Sequence, residues 1–559
     1  MDAAIDVATK QAKQQLDEYF EGARSQISVG GAYQEGKLPP KASASLPEGF
    51  SPRSIHKILK GVLQRIKPSP EEMTEEQRVA KTVTRKLKTA LPNHVEIRLM
   101  GSVAKGTHLK GNKEMDIFLL FPKSFTKHHM LVSAFHYIRK ALAGHRLEQH
   151  YAEHPYLKCI VDDHGIDLVP SFKIAHAGEL GTAVDRSQLH TKYINRHLSA
   201  QQKEDVRLLK QFAKALGIYG AELRVEGFSG YLCELLILQY GSFSSAIENA
   251  QNWKIPVCLE PVGKSETEKS KIETRNHCGS ELRVPSSETR NSSTRRGELF
   301  ASWRSTAIAV ENFSNWRNAS RRIQKPETNF TSPLVVLDPV DKNRNVAAVV
   351  STTSLARFIF AARMFLEKPN AGMFFRKEIR AAPKALGKMI VARKTSLLML
   401  EFKSPKLVED MLWPQLKKTS LAIGRELIYH GFAIMGYYYW SNGERCLLLY
   451  ELEQGVLPSV VKVAGPTVSM GKNIGQFIKA HNRAAIHIEH DRLVAIEERM
   501  VRTPNQVVAL VKMKKCEIGI PDEFKHRVMA ARTITVGEFV NKFKEVATDY
   551  FLRDLRSII

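Results

Sequence analysis

Two acids stand two residues apart at Glu114-Met115-Asp116, and the apolar run Ile117 to Phe121 follows them. A strand sends residues i and i+2 to one face. Glu114 and Asp116 therefore stand side by side, while Met115, Ile117 and Leu119 point the other way into a core. Carboxylates so placed repel each other unless a cation lies between them. A hard divalent ion such as Mg²⁺, held by one or two carboxylates plus substrate phosphates, is the usual partner. Upstream, Gly101-Ser102-Val103-Ala104-Lys105-Gly106-Thr107 reads as a tight turn of small residues. Its backbone N–H groups and the Ser102 hydroxyl suit phosphate oxygens. A Gly-Ser pair or an E-x-D strand edge alone is ordinary surface. Turn, short basic connection and acidic strand together point to metal-assisted nucleotidyl transfer.

A third acid follows. The apolar runs Leu157–Val161 and Ile166–Val169 flank the turn former Asp162-Asp163-His164-Gly165, which reads as a β-hairpin. Asp167 lies inside the second run, between Ile166 and Leu168, so it projects from the sheet's other face. A two-metal site needs such a carboxylate on a nearby strand, whereas Asp162 and Asp163 read as turn residues. Farther on, Lys203, Arg207, Lys210 and Lys214 recur at helical spacing along a segment from Lys203 to Leu216. Val206, Leu209, Phe212, Ala213 and Leu216 form its apolar face. The basic stripe is either a solvated face or a phosphate contact.

The stretch GSVAKGTHLKGNKEMDIFLLFP resembles the nucleotidyltransferase superfamily of poly(A) polymerases, oligoadenylate synthetases and CCA-adding enzymes. It looks most like the archaeal-type (class I) CCA-adding enzymes, a resemblance covering residues 52–260 and 332–559. The resemblance implies that Glu114, Asp116 and Asp167, the last before a Val-Pro pair, hold two Mg²⁺. It implies nucleotide contacts from Gly101, Ser102 and Lys105 in the turn, and a nucleotide-phosphate contact from His190 after A-V-D-R. It adds Lys210 in R-L-L-K and Tyr219 in G-x-Y-G-A-E. It also gives Arg344, in D-P-V-D-x-x-R-N-V-A-A, a part in shaping the base pocket. Lys105 stands where many relatives carry arginine, which keeps the charge and loses the bidentate fork. The implied reaction adds C, C and A to the 3′ end of tRNA from CTP and ATP without a nucleic-acid template. A homodimer is in keeping with the family. The rival readings are a poly(A)-type or oligoadenylate polymerase, separable by CTP use, and a non-catalytic RNA-binding relative. Three clustered carboxylates would serve the latter no purpose near phosphate.

The elements that must position these residues fit a multi-domain α+β chain. Its 559 residues suffice for about three domains. Lysine and arginine outnumber the acids by 83 to 58, a net charge of +25 that favours a polyanionic partner, nucleic acid before membrane. The six cysteines are scattered without a CxxC pair, which argues against a structural zinc site or a disulfide framework. No apolar run reaches membrane-spanning length and no signal pattern opens the chain, so the expected location is cytoplasmic. Residues 1–50, with a polar helix from Val7 to Phe20, read as a loosely ordered extension. Residues 51–195 read as a palm-type mixed sheet with helices, the catalytic head. Residues 196–375 read as a mainly helical central domain interrupted at 262–331 by a polar insertion expected to be disordered. Residues 376–559 read as an α+β RNA-binding tail. There the run Tyr437 to Trp440 could stack on bases, with two of its four rings expected in the core.

Overall fold

A computed structural model describes residues 52–151, 154–259, 332–375, 381–514 and 517–552. The expected N-terminal extension at 1–50 and the insertion at 262–331 lie outside the described residues.

Two helices open the described chain, α1 (Pro52–Ile66) and α2 (Pro70–Ala90). Ser69 closes the start of α2: its hydroxyl accepts the Glu72 N–H at 3.2 Å, and the Glu72 carboxylate accepts the Ser69 N–H at 2.7 Å. This reciprocal capping satisfies two of the donors that a helix start leaves without partners. Next comes a five-stranded sheet built from β1 (Glu96–Met100), β2 (Glu114–Phe121), β3 (Leu147–Tyr151), β4 (Pro155–Val161) and β5 (His164–Phe172). Its strand order is β1-β2-β5-β4-β3, with β2 and β5 parallel and the other pairs antiparallel. Asp162 and Asp163 make the two-residue turn between β4 and β5, both at positive φ, a conformation that Asp tolerates.

One face of the sheet carries Met115, Ile117, Leu119, Phe121, Ile166 and Leu168 against α2 and α4 (Lys127–Ala141), as the alternation in β2 requires. The other face has an apolar floor of Met100, Phe118, Leu120 and Val169. Glu114, Asp116 and Asp167 continue that second face. The one-turn helix α3 (Gly101–Lys105) lies between β1 and β2.

Helices α5 (Arg186–His197), α6 (Ala200–Ala215), α7 (Gly230–Tyr240) and α8 (Phe243–Ala250) follow. A three-stranded sheet of β6 (Val257–Leu259), β7 (Leu334–Asp338) and β8 (Asp341–Asn345) then leads into α9 (Thr352–Glu367). The apolar face expected on α6 is buried throughout, and Phe212 packs among Phe243, Phe358, Phe365 and Phe374. The apolar run Arg224–Phe243 is helical from Gly230 to Tyr240. Ser229 caps it, and the residues before it form a turn in which Glu226 has φ 49°.

The tail holds two further sheets. The larger comprises β9 (Ser396–Lys403), β10 (Ile434–Ser441), β11 (Arg445–Leu452) and the short Arg532–Thr533 strand. All four rings of the Tyr437–Trp440 run are partly buried against core clusters, where two had been expected in the core. Tyr437 and Tyr439 meet one core cluster, and Tyr438 and Trp440 another. The sheet is covered on both faces, so strand alternation leaves neither side free.

Candidate active site

Gly101 takes φ +68°, and a Cβ there would run into the Asp116 carboxylate. Only glycine lets the turn pass this close while leaving the acid in place. We expect Gly101→Ala to cost at least ~10²-fold in single-turnover nucleotide addition, because a shift of about 1 Å at a reacting centre costs that much. Rapid-quench rates measured beside thermal midpoints check this; an active, equally stable variant would refute it.

Asp116 and Asp167 are Cα partners on the parallel pair β2–β5, and Lys158 faces Asp167 from β4. Lys158 Nζ lies 2.8 Å from Glu114 Oε1 and 3.7 Å from Asp167 Oδ1. Burial works against the Lys158 charge, but Glu114 and Asp167 outweigh it and hold its pKa above the ordinary value. Burial, and then the neighbouring Asp167, push Asp116 up to about 6, with Lys105 pulling it back. Burial also raises Asp167, against the pull of Lys158. Asp167 Oδ1 is buried and makes no hydrogen bond. Among the described residues no three His, Cys, Asp or Glu side chains close into a finished metal cage. Even so, three mutually repelling oxygen donors, one of them orphaned, fit a hard divalent cation.

Of the basic stripe of α6, Arg207 and Lys210 are buried, Lys203 is half-buried and Lys214 is exposed. Arg207 donates to the carbonyls of Gly106 (2.7 Å) and His108 (2.9 Å), clamping the connection between the turn and the acidic strand. Lys210 is 1% exposed, and its ammonium donates to Thr107 O (3.1 Å), Thr107 Oγ1 (3.0 Å) and Glu234 Oε1 (3.3 Å). Its three N–H bonds are thus all engaged within the protein. Glu234, on α7 and wholly buried, also takes Lys105 Nζ at 2.5 Å and the Thr107 hydroxyl at 2.6 Å. Burial pushes the Glu234 carboxyl up, but the two ammonium groups outweigh it and keep it below the ordinary range. A Cβ on Gly230 would lie 3.2 Å from the Tyr219 hydroxyl and 3.4 Å from Lys210 Nζ, so both reach the start of α7.

His190 and Arg344 meet at a carboxylate. Asp338 Oδ2 accepts from His190 Nε2 at 2.9 Å and from Arg344 Nη1 at 3.0 Å. Asp338 Oδ1 accepts from the Tyr231 hydroxyl at 3.0 Å. Tyr231 stacks on His190 with ring centroids 3.8 Å apart, and its other neighbour is Lys105 Nζ, 5.7 Å from the ring centroid. Tyr231 thereby joins the turn to the pair of nucleotide-contact candidates. Asp185 sets the entry to α5: fully buried, it accepts from Ser171 Oγ, Phe172 N, Gly181 N and Thr182 N at 2.7–3.0 Å.

Sequence reasoning missed Lys158, Tyr231, Glu234 and Asp338. The signal for Glu234 was present: a single charge within an apolar helix must find partners when buried.

A mixed sheet with paired acids on neighbouring strands beside a Gly-Ser turn is the frame of a nucleotidyltransferase. Residues 80–190 match the nucleotidyltransferase domain, 204–294 and 298–375 the second domain of tRNA nucleotidyltransferase, and 393–526 the C-terminal domain of the CCA-adding enzyme. The CCA-adding enzyme of Archaeoglobus fulgidus is 32% identical over 455 residues, 81% of this chain and 89% of that one. That of Methanocaldococcus jannaschii is 31% identical, covering 80% and 88%. That of Methanoregula boonei is 33% identical, covering 71% and 74%. The chain belongs to the CCA-adding enzyme family. No helix among the described residues is long and apolar enough to cross a membrane.

Proposed function

We propose that this chain adds C, C and A stepwise to the 3′ end of immature or damaged tRNA, drawing on CTP and ATP without a nucleic-acid template. The observation that carries this reading is the set Glu114, Asp116 and Asp167 on neighbouring strands against the Gly101 turn, within a chain of this family. Bound by these carboxylates, two Mg²⁺ would lower the pKa of the terminal ribose hydroxyl and balance the charge of the leaving pyrophosphate. Asp116 and Asp167, in register on adjacent strands, present their carboxylates from the floor of the site, and Glu114 completes the set at its edge. Lys158 offsets part of their charge. Ser102 and the turn's backbone receive the triphosphate, with Lys105 as a point charge beside it and Lys210 as the buried cation behind. Tyr219 stands next to Lys210. His190 helps position the nucleotide through its phosphates, and Arg344 helps check the base, where the planar guanidinium matches base-edge acceptors. The reading includes residence in the cytoplasm and a homodimer, the latter open to sedimentation analysis.

Primer extension tests the function. With Mg²⁺ and tRNA transcripts ending before CCA, after C and after CC, we expect C, C and A to be added in order and addition then to stop. Long A-tails from ATP alone would assign the chain to the poly(A) branch. Tight tRNA binding with no addition on any primer would make it a binding protein.

A further inference from the structure

We propose that Asp338 is a positioning residue for nucleotide selection, holding Arg344 and His190 in one fixed hydrogen-bonding pattern; this rests on the function proposed above. The Asp338 side chain has no solvent exposure and accepts four donors: His190 Nε2, Arg344 Nη1, the Tyr231 hydroxyl and the Val340 N–H at 3.1 Å. Four donors saturate a carboxylate. Because a carboxylate only accepts, the imidazole proton facing it resides on Nε2, which leaves Nδ1 of a neutral ring as an acceptor. Stacking on Tyr231 fixes the plane of that ring. Arg344 has one nitrogen on Asp338 and a side chain 35% exposed, so it is anchored at one edge and open at another.

The anchoring reaches across the chain. Arg186, one turn before His190 on α5, pairs with Asp341 at 3.0 Å. The β7–β8 turn is thus latched to α5 at two points, and Tyr231 brings in α7. A base that meets Arg344 therefore meets a group unable to turn and suit a different edge, while His190, held on the same carboxylate, fixes the nucleotide beside it; that is the condition for strong discrimination.

Asp338→Asn keeps the shape and breaks the pattern, because its amide N–H₂ faces donors. On tRNA ending before CCA, we expect kcat/KM for CTP over UTP to fall about 10-fold in this variant, the value of one well-placed base contact. Tyr231→Phe removes one donor and should shift the ratio in the same direction by less; it carries the test if Asp338→Asn does not fold. Equal losses for both nucleotides in the folded variants would mean a merely structural role and overturn the proposal. If the unaltered protein adds no nucleotide, the proposed function fails instead, and ¹⁵N spectra of labelled histidine decide the role of Asp338. An Nε2–H tautomer at His190 that becomes mixed in Asp338→Asn supports positioning. An unchanged tautomer overturns it.

Discussion

Asp116→Asn abolishes nucleotide addition and at the same time stabilises the metal-free protein at neutral pH. The two effects share one cause. Burial and the adjacent Asp167 raise Asp116 from 3.8 to about 6, so the folded protein carries an unfavourable buried charge above that pH. A carboxyl whose pKa is raised on folding contributes stability that is fully present below its unfolded value. That contribution is lost as pH rises through the folded value. The difference corresponds to at most roughly 3 kcal/mol, less the screening at the group's outer edge. In EDTA-treated protein the variant should therefore melt above the unaltered chain at pH 7.5 and together with it near pH 3.5. Activity should move the opposite way. Removing a carboxylate that organises charge at the reacting phosphate forfeits several kcal/mol, about 10³-fold or more in rate. Added Mg²⁺ should stabilise the unaltered protein and leave the variant's midpoint nearly still. A variant that loses activity and stability in proportion would reduce Asp116 to a structural residue.

These two roles differ in how openly the sequence displays them. The acidic strand was legible because strand alternation is local: Glu114 and Asp116 fall on one face and Met115, Ile117 and Leu119 on the other, with no knowledge of what lies beyond. Asp167 was legible because a charge between Ile166 and Leu168 contradicts its surroundings. The capping pair Ser69 and Glu72 is local too. Partners brought together from a distance were not legible. The periodicity of α6 predicted a stripe containing Arg207 and Lys210, but not that these two would bond residues 106–108, about a hundred positions earlier in the chain, while Lys214 stays exposed. Asp338 was not legible because its partners His190 and Tyr231 lie 148 and 107 positions away. For Tyr437 to Trp440, alternation could say that the rings divide between two faces. Only the tertiary structure says that both faces are covered.

Glu234→Ala should be the most destabilising single change near the site. The carboxylate is the one anion shared by Lys105 and Lys210, and none of it is exposed. Truncation leaves two ammonium groups facing each other in a buried space, a situation that costs about 3–5 kcal/mol. In a compact unit of several hundred residues that lowers the thermal midpoint by roughly 3–6 °C. Glu234→Gln should lose less, because its carbonyl can still accept at one of the two oxygen positions, from Thr107 and Lys210 together or from Lys105. Combining it with Lys210→Met removes one cation together with the anion. The pair should then be more stable than the sum of the single losses, by the 0.5–3 kcal/mol typical of contacting residues. Function should follow geometry. Thr107 and Lys105 belong to the segment that carries Ser102, so loosening it should raise KM for the nucleotide before it lowers affinity for tRNA. Denaturant melts of the unaltered chain, Glu234→Ala, Glu234→Gln, Lys210→Met and the double variant, with nucleotide titrations alongside, measure both effects. A loss below about 1 kcal/mol in Glu234→Ala, or strict additivity in the double variant, would mean that Lys105 and Lys210 do not depend on this carboxylate. The buried charge would then need another explanation than holding the turn against the acidic strand.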